Sequence, residues 1–118
     1  MLELKDFEEA KKRVDEVIIP TPLIYSPAFS KECRNMVYIK PENLQRTGAF
    51  KIRGAYNKIM KMDDESKSRG LIASSAGNHA QGVAYAAQQL GVKAIIVMPA
   101  HTPLIKVDAT KALGAEVV

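Results

Sequence analysis

The second half of the chain constrains its fold most strongly, because strand-like and helix-like patterns alternate regularly there. Short apolar segments predict strands at 71–74, 94–98 and 115–118. Amphipathic segments between them predict a helix at 78–90 and another that Thr102-Pro103 caps. Strand, helix, strand, helix and strand at this spacing predict parallel βαβ units with right-handed crossovers. The predicted fold class is therefore α/β, part of a three-layer αβα sandwich that is incomplete after its third strand.

The first half of the chain predicts helices around one short strand. A helix is expected to begin near Asp6, with Leu4, Phe7 and Val14 in its apolar stripe, and to end before Pro20. Further helices are expected from Ser26-Pro27 to about Cys33 and over 49–62, with a strand at 36–39 between them. In the last helix of the chain, the expected inner face comprises Ile105, Ala109, Ala112 and Leu113.

Length and composition exclude several classes of protein. The chain has 118 residues and a formal net charge of +4, without a long block of Lys and Arg, so nucleic-acid binding is not indicated. No apolar run reaches the length of a membrane span, and charged residues occupy the place of a signal-peptide core. Cys33 is the only cysteine, which favours a reducing compartment. A cytoplasmic protein without a membrane partner is expected.

Lys51 lies where a polar loop gives way to a predicted helix. A helix N-terminus carries partial positive charge and disfavours an ammonium group. A neutral amine is the form that attacks a carbonyl carbon. The simpler alternative is a solvated surface lysine.

A second candidate site lies at the junction between the strand at 71–74 and the following helix. Unpaired backbone N–H groups at a helix N-terminus attract anions, and the carboxyl ends of parallel strands are where ligands bind in such sheets. Ser75, Asn78 and His79 add side-chain donors, and Gly77 allows close approach to the backbone. A carboxylate or a phosphate would fit equally well. The alternative is that Asn78 is only a helix cap and the serines only turn residues.

Other familiar sites are not indicated. The junction matches neither the dinucleotide-binding motif G-x-G-x-x-G nor the phosphate-binding loop of nucleoside triphosphatases. His79, His101 and Cys33 lack the spacing and partners of a metal site, so no metal is expected.

Two long motifs resemble a known family. They are Pro41-Glu42-Asn43-Leu44-Gln45 followed by Thr47-Gly48 and Phe50-Lys51-Ile52-Arg53-Gly54-Ala55, and the run from Ser74 to Gly82. Together they resemble the cofactor-lysine motif and the asparagine loop of the threonine/serine dehydratases, which are fold-type II pyridoxal-phosphate enzymes. The resemblance covers nearly the whole chain, and Thr21-Pro22-Leu23 matches it as well.

The resemblance implies a cofactor, pyridoxal 5'-phosphate, and a role for each matching residue. Lys51 would bind the cofactor covalently and later move the substrate's α-proton. Phe50 would pack against the pyridine ring, and Asn78 would donate to the phenolic oxygen. Ser75, Gly77, Asn78 and His79 would bind the substrate carboxylate. The implied reaction converts L-threonine to 2-oxobutanoate and ammonia, or L-serine to pyruvate, and the implied assembly is a homo-oligomer.

The resemblance also implies how the chain is divided. Residues 1–47 would belong to the family's larger domain and 48–118 to part of its smaller αβα domain. Because the glycine-rich loop for the cofactor phosphate would lie beyond Val118, the isolated chain is expected to be inactive. One alternative is a non-catalytic fragment that self-associates through its sheet edge. Another is a serine racemase, although racemases carry a serine where Ala76 stands.

Overall fold

The computed structural model describes residues 1–118. Its helices are α1 (Leu4–Val14), α2 (Pro27–Cys33), α3 (Lys51–Met60), α4 (Asp64–Arg69), α5 (Asn78–Gln89) and α6 (Leu104–Ala112). Its strands are β1 (Ile24–Tyr25), β2 (Tyr38–Ile39), β3 (Leu71–Ser74), β4 (Ala94–Val97) and β5 (Glu116–Val117), and Glu42–Leu44 form a single 3₁₀ turn. None of the helices has the length and apolar character needed to cross a bilayer.

The main sheet is parallel, with strand order β3-β4-β5. Ile72 pairs with Ile95, and Ile96 pairs with Val117. Helix α5 connects β3 to β4 and helix α6 connects β4 to β5, and the two helices contact each other and the same face of the sheet. The predicted α/β class with parallel βαβ units is confirmed. The boundaries of α2 and β3 agree with the prediction, and α5 begins at the predicted residue.

Helix α5 is the centre of the packing. Its alanines, Ala80, Ala84, Ala86 and Ala87, are almost completely buried. Because alanine and glycine have little or no side chain, the backbone of α3 approaches α5 closely, and these two helices share the most extensive contact in the chain. Ile52 of α3 and Ile96 of β4 are fully buried, so this packing unites the lysine-bearing helix and the sheet in one core.

The opposite face of the sheet is uncovered. Because side chains alternate along a strand, Ile72 and Ser74 of β3 share this face with Ile95 and Val97 of β4. Ile72 is 77% exposed and Val97 is 41% exposed. Buried parallel sheets are normally covered on both faces. Within the 118 residues, helices therefore supply one of the two outer layers of an αβα sandwich.

Two details predicted for α1 were wrong. Helix α1 begins at Leu4, not at Asp6, and the Asp6 carboxylate accepts a hydrogen bond of 2.8 Å from the Glu3 backbone N–H. Leu4 and Phe7 are exposed.

The other two errors concern α6. Ile105 and Ala112 are exposed, whereas Thr110 is fully buried because its hydroxyl donates a 2.9 Å hydrogen bond to the Lys106 carbonyl inside the helix. Thr102 does not cap the helix, since its hydroxyl donates to the Pro99 carbonyl at 2.7 Å. Leu113 packs against the core as expected and Ala109 is half-buried, so hydrophobicity alone located the inner face of this helix only in part.

Candidate functional site

Lys51 is the first residue of α3, as its motif predicts, and its side chain is exposed. The chain reaches it through Gly48, whose φ of 66° is a left-handed conformation that favours glycine. Phe50, the residue before the helix, is 58% exposed. The Lys51 Nζ lies 4.9 Å from the centroid of the Phe50 ring, within the range of a cation–π contact. An amine and an aromatic face are thus presented together to solvent.

Helix α5 reaches the start of α3 through Gly82. A Cβ atom at Gly82 would lie 3.0 Å from both the carbonyl carbon and the Cβ of Lys51, closer than normal packing allows. Gly82 lies one turn after Asn78, the first residue of α5. The contact therefore brings the first turn of α5, and the loop before it, close to Lys51. Sequence reasoning included Gly82 in the motif without assigning it this role.

The first turn of α5 leaves its backbone hydrogen-bond donors unused. Ser75 extends the ladder by donating its N–H to the Val97 carbonyl at 3.1 Å, and its hydroxyl accepts from the Gly77 N–H at 3.3 Å. Gly77 precedes the helix, and no side chain caps it. The backbone N–H groups of Asn78, His79 and Ala80 have no partner within the chain. This helix N-terminus is open to an anion.

The predicted site residues lie on two neighbouring parts of the chain, the start of α3 and the loop and first turn of α5. Asn78 is exposed and lies inside the helix, so the alternative that it is only a cap is wrong. Ser75 and Gly77 are half-buried in the loop. His79 is exposed, and it lines a shallow apolar cavity with Gly54 and Lys58 of α3. His79 thus lies beside the lysine-bearing helix, at the end of α5 that carries the open N–H groups.

A charged pair that sequence reasoning missed holds the lysine loop to α3. The Glu42 carboxylate accepts bonds from the Arg53 Nε at 2.8 Å and Nη2 at 2.7 Å, and a third from the Thr21 hydroxyl at 2.6 Å. The hydrogen bonds from Arg53 lower the pKa of Glu42 to about 2. The same pairing raises the pKa of Arg53. Glu42 and Arg53 lie on either side of Lys51 in the sequence, so no local pattern predicts that they pair. The only sequence signal for them is that both belong to the motif that resembles the family.

Gln45 holds the other end of the loop. It is 4% exposed, and its amide oxygen accepts from the Ile19 N–H at 2.7 Å and from the Arg46 N–H at 3.1 Å. Its amide nitrogen donates to the Ile19 carbonyl at 2.9 Å. Nearby, the buried Thr47 hydroxyl has no hydrogen-bond partner. The loop before Lys51 is therefore fixed to the segment after α1.

The assembled groups fit an anionic aromatic aldehyde. The Lys51 amine can bond to an aldehyde carbon, and the Phe50 ring offers an apolar face beside it. Asn78 and the open N-terminus of α5 offer donors to anionic oxygens. Pyridoxal phosphate has these features, so its reactive end fits the residues present.

Comparison with known proteins agrees with this arrangement. The family model described as "Pyridoxal-phosphate dependent enzyme" matches residues 14–118. L-threonine ammonia-lyase of Thermotoga maritima is 51% identical over 118 residues, which are all of this chain and 29% of that protein.

Solved structures are similar as well. Serine racemase from Dictyostelium discoideum superposes with a TM-score of 0.92 and 39% identity, over 99% of this chain and 38% of that one. Processed threonine deaminase isoform 2 from Solanum lycopersicum gives a TM-score of 0.83 and 42% identity, over 99% of this chain and 34% of that one. The chain spans about a third of the length of the proteins it matches.

Proposed function

This chain belongs to the pyridoxal-phosphate dependent enzyme family, and we propose that it is the lysine-bearing, N-terminal portion of a threonine/serine dehydratase. The proposed reaction is α,β-elimination of water from L-threonine, giving 2-oxobutanoate and ammonia, or from L-serine, giving pyruvate. The observation that carries the proposal is the contact of Gly82, one turn into α5, with the Lys51 backbone, which supports a site shared by the start of α3 and the open N-terminus of α5. An amine beside an anion site is what an amino-acid substrate and this cofactor require.

Each proposed role uses a group at that site. Lys51 would hold the cofactor and accept the substrate's α-proton at its Nζ, and a proton given to the departing β-hydroxyl would complete the loss of water. The loop hydroxyl of Ser75 and the N–H groups at the start of α5, around Gly77, Asn78 and His79, bind the substrate carboxylate. Phe50 would offer an apolar face to the pyridine ring, and Asn78 would donate a hydrogen bond to the phenolic oxygen of the cofactor. Pyridoxal phosphate, when bound, supplies the electron sink for charge that develops at the α-carbon.

The finer assignments belong to the same proposal. Residues 1–47 form a segment of the larger domain of the family, and 48–118 form part of its smaller domain. The antiparallel β1–β2 pair in the first range and the parallel sheet in the second support this division. The complete protein is proposed to be a cytoplasmic homo-oligomer. The 118-residue chain alone is proposed to bind the cofactor weakly and to turn over little substrate.

Serine racemase is the second candidate, supported by the likeness to the Dictyostelium structure. Racemisation needs an acid or base on each face of the α-carbon, and Lys51 serves one face only. Ala76 lies in the loop between Ser75 and Gly77, and its methyl group has no proton to exchange. Dehydration is therefore the preferred proposal.

Reductive trapping tests the cofactor lysine. The chain is mixed with excess pyridoxal phosphate, reduced with borohydride and digested, and the modified lysine is identified by mass spectrometry. We expect the adduct on Lys51 and not on Lys58, an exposed lysine further along α3. The Lys51→Ala variant should lose the adduct. Equal labelling of several lysines would contradict the proposal.

Turnover and assembly separate the remaining alternatives. The protein is incubated with L-threonine or L-serine, and 2-oxo acid and D-serine are measured separately. Oxo acid from the complete protein supports a dehydratase, whereas D-serine without oxo acid supports a racemase. If the chain is instead a non-catalytic fragment, we expect no specific adduct on Lys51. We then also expect the chain to elute as an oligomer from a sizing column.

A further inference from the structure

The position of Lys51 depends on how the first turn of α3 is held. The side chain is exposed and flexible, so the place of its amine follows from the place of its backbone. No side chain caps α3, and the loop before it turns through Gly48 in a left-handed conformation. On one side, Gly82 of α5 lies against the Lys51 backbone. A second support is required to keep the helix start from sliding along that surface.

The Glu42–Arg53 pair has the geometry of such a support. Arg53 lies two residues after Lys51, in the first turn of α3, and Glu42 lies on the 3₁₀ turn nine residues before Lys51. The two bonds from one guanidinium to one carboxylate fix both direction and distance. The side chain of Arg53 is 28% exposed and that of Glu42 is 16% exposed, so water competes weakly for these hydrogen bonds. The pair therefore closes the loop that contains the lysine.

The pair also connects α3 to the N-terminal part of the chain. The Thr21 hydroxyl donates to the Glu42 carboxylate, and the Lys40 Nζ donates to the Thr21 carbonyl at 2.7 Å. We infer that the Glu42–Arg53 pair positions Lys51, by holding the first turn of α3 at a fixed place opposite the loop before α5. This inference rests on the proposed function of Lys51. Neither residue is required to touch the cofactor or the substrate.

A matched pair of charges provides the control. Arg69 donates to Glu65 at 2.7 Å, but both side chains are more than half exposed and lie within α4. The test set comprises Glu42→Gln, Arg53→Met and Arg53→Lys, with Glu65→Gln and Arg69→Met as controls. Arg53→Lys keeps the charge but loses the two-pronged geometry. It is expected to fold where Arg53→Met does not, and circular dichroism checks the fold of each variant.

The first readout does not need the cofactor. The chain is labelled with a small acylating reagent, and the rates at Lys51 and Lys58 are compared by peptide mapping. A change in stability alone leaves this ratio constant in folded protein, whereas displacement of the α3 start changes it. We expect the ratio to shift about threefold in Glu42→Gln and Arg53→Lys and to stay constant in both controls, because exposed ion pairs contribute little.

The second readout is the yield of pyridoxal phosphate trapped on Lys51 by borohydride. We expect a fall of about tenfold in the Glu42 and Arg53 variants, since small displacements of a reacting group reduce reactivity strongly. An unchanged labelling ratio and yield in folded Arg53→Lys and Glu42→Gln overturns the inference. A wild-type chain that traps no cofactor on Lys51 overturns the proposed function instead, and the labelling ratio still tests the positioning of the lysine.

Discussion

The two helix beginnings that form the candidate site are held in opposite ways. The start of α3 is fixed by side chains: Gln45 makes three hydrogen bonds and Glu42 accepts three. The start of α5 has no side-chain cap, and its one side-chain bond is the 3.3 Å contact from the Gly77 N–H to the Ser75 hydroxyl. The segment that leads into α3 is thus anchored by side-chain bonds, whereas the start of α5 is not, and the first N–H groups of both helices have no partner within the chain.

The difference separates positioning from binding. In the proposed site Lys51 is a covalent attachment point that must stay in place, so the loop before it benefits from buried polar bonds. An anion site must offer donors that no other group satisfies. The start of α5 suits that role because its first N–H groups have no partner within the chain. Substitutions at the α3 start should therefore change stability, and substitutions at the α5 start should change ligand binding.

The largest effect is expected at Gln45. Gln45→Leu keeps most of the volume but removes the partners of the Ile19 N–H and carbonyl and of the Arg46 N–H. Unpaired buried groups cost about 1–3 kcal/mol each, so the free energy of unfolding should fall by about 3 kcal/mol. Urea denaturation measures the change. Gln88→Leu, at an exposed position of α5, is the control and should change stability by about 0.5 kcal/mol or less.

A smaller effect with a defined pH range is expected at Glu42. Because its pKa is lowered from 4.5 to about 2 in the folded chain, the stabilisation is complete above pH 4.5 and is lost as the pH falls from there towards 2. Allowing for partial solvent screening, the loss is about 1–2 kcal/mol. Glu42→Gln should show this loss at neutral pH and a flatter dependence below pH 4.5.

The control for Glu42 is Glu65→Gln, which breaks an exposed pair and should cost about 0.5 kcal/mol or less. Urea denaturation across the pH range gives both curves. Parallel acid limbs for wild type and Glu42→Gln would contradict the assignment of the paired carboxylate to Glu42.

The smallest effect on stability is expected at Gly77, where it should have the opposite sign to the effect on binding. A Cβ at Gly77 meets no atom within 4 Å, so a side chain fits. Gly77→Asp and Gly77→Asn should both cap α5 and raise the unfolding free energy by a few tenths of a kcal/mol. Only aspartate places a negative charge at the anion site. Affinity for L-threonine, measured by calorimetry on the cofactor-loaded protein, should fall about tenfold or more in Gly77→Asp relative to Gly77→Asn.

Local patterns in the sequence were sufficient for much of the fold. Ser26-Pro27 marks a helix start by a cap and a fixed φ, and α2 begins at Pro27. The apolar run before the Ser75 loop marks β3, and α5 begins at Asn78. Both signals depend on neighbouring residues only. The motif around Lys51 located the lysine at a helix start for the same reason.

Contacts between distant segments could not be predicted in this way. Ile24–Tyr25 became a strand by pairing with Tyr38–Ile39, and no strand was predicted there. The hydrogen bonds between Gln45 and Ile19 join residues 26 positions apart, and no helical or strand periodicity in the sequence predicts them. Thr110 has a polar side chain and is nevertheless buried. Burial is tolerated because the hydroxyl donates a hydrogen bond to a carbonyl of its own helix. The candidate binding groups could thus be named from local motifs, whereas the pairings that hold the loop before Lys51 could not.

The uncovered face of the sheet has a consequence for which part of the chain opens first. Amide hydrogen exchange reports local opening, and segments with little buried apolar surface open at low free-energy cost. Ile72 and Val97 contribute little burial on that face, whereas α3 and α5 bury one another closely. We therefore expect the amides of the edge strand β3, none of whose residues is buried, to exchange faster than those in the middle of α5, whose alanines are buried.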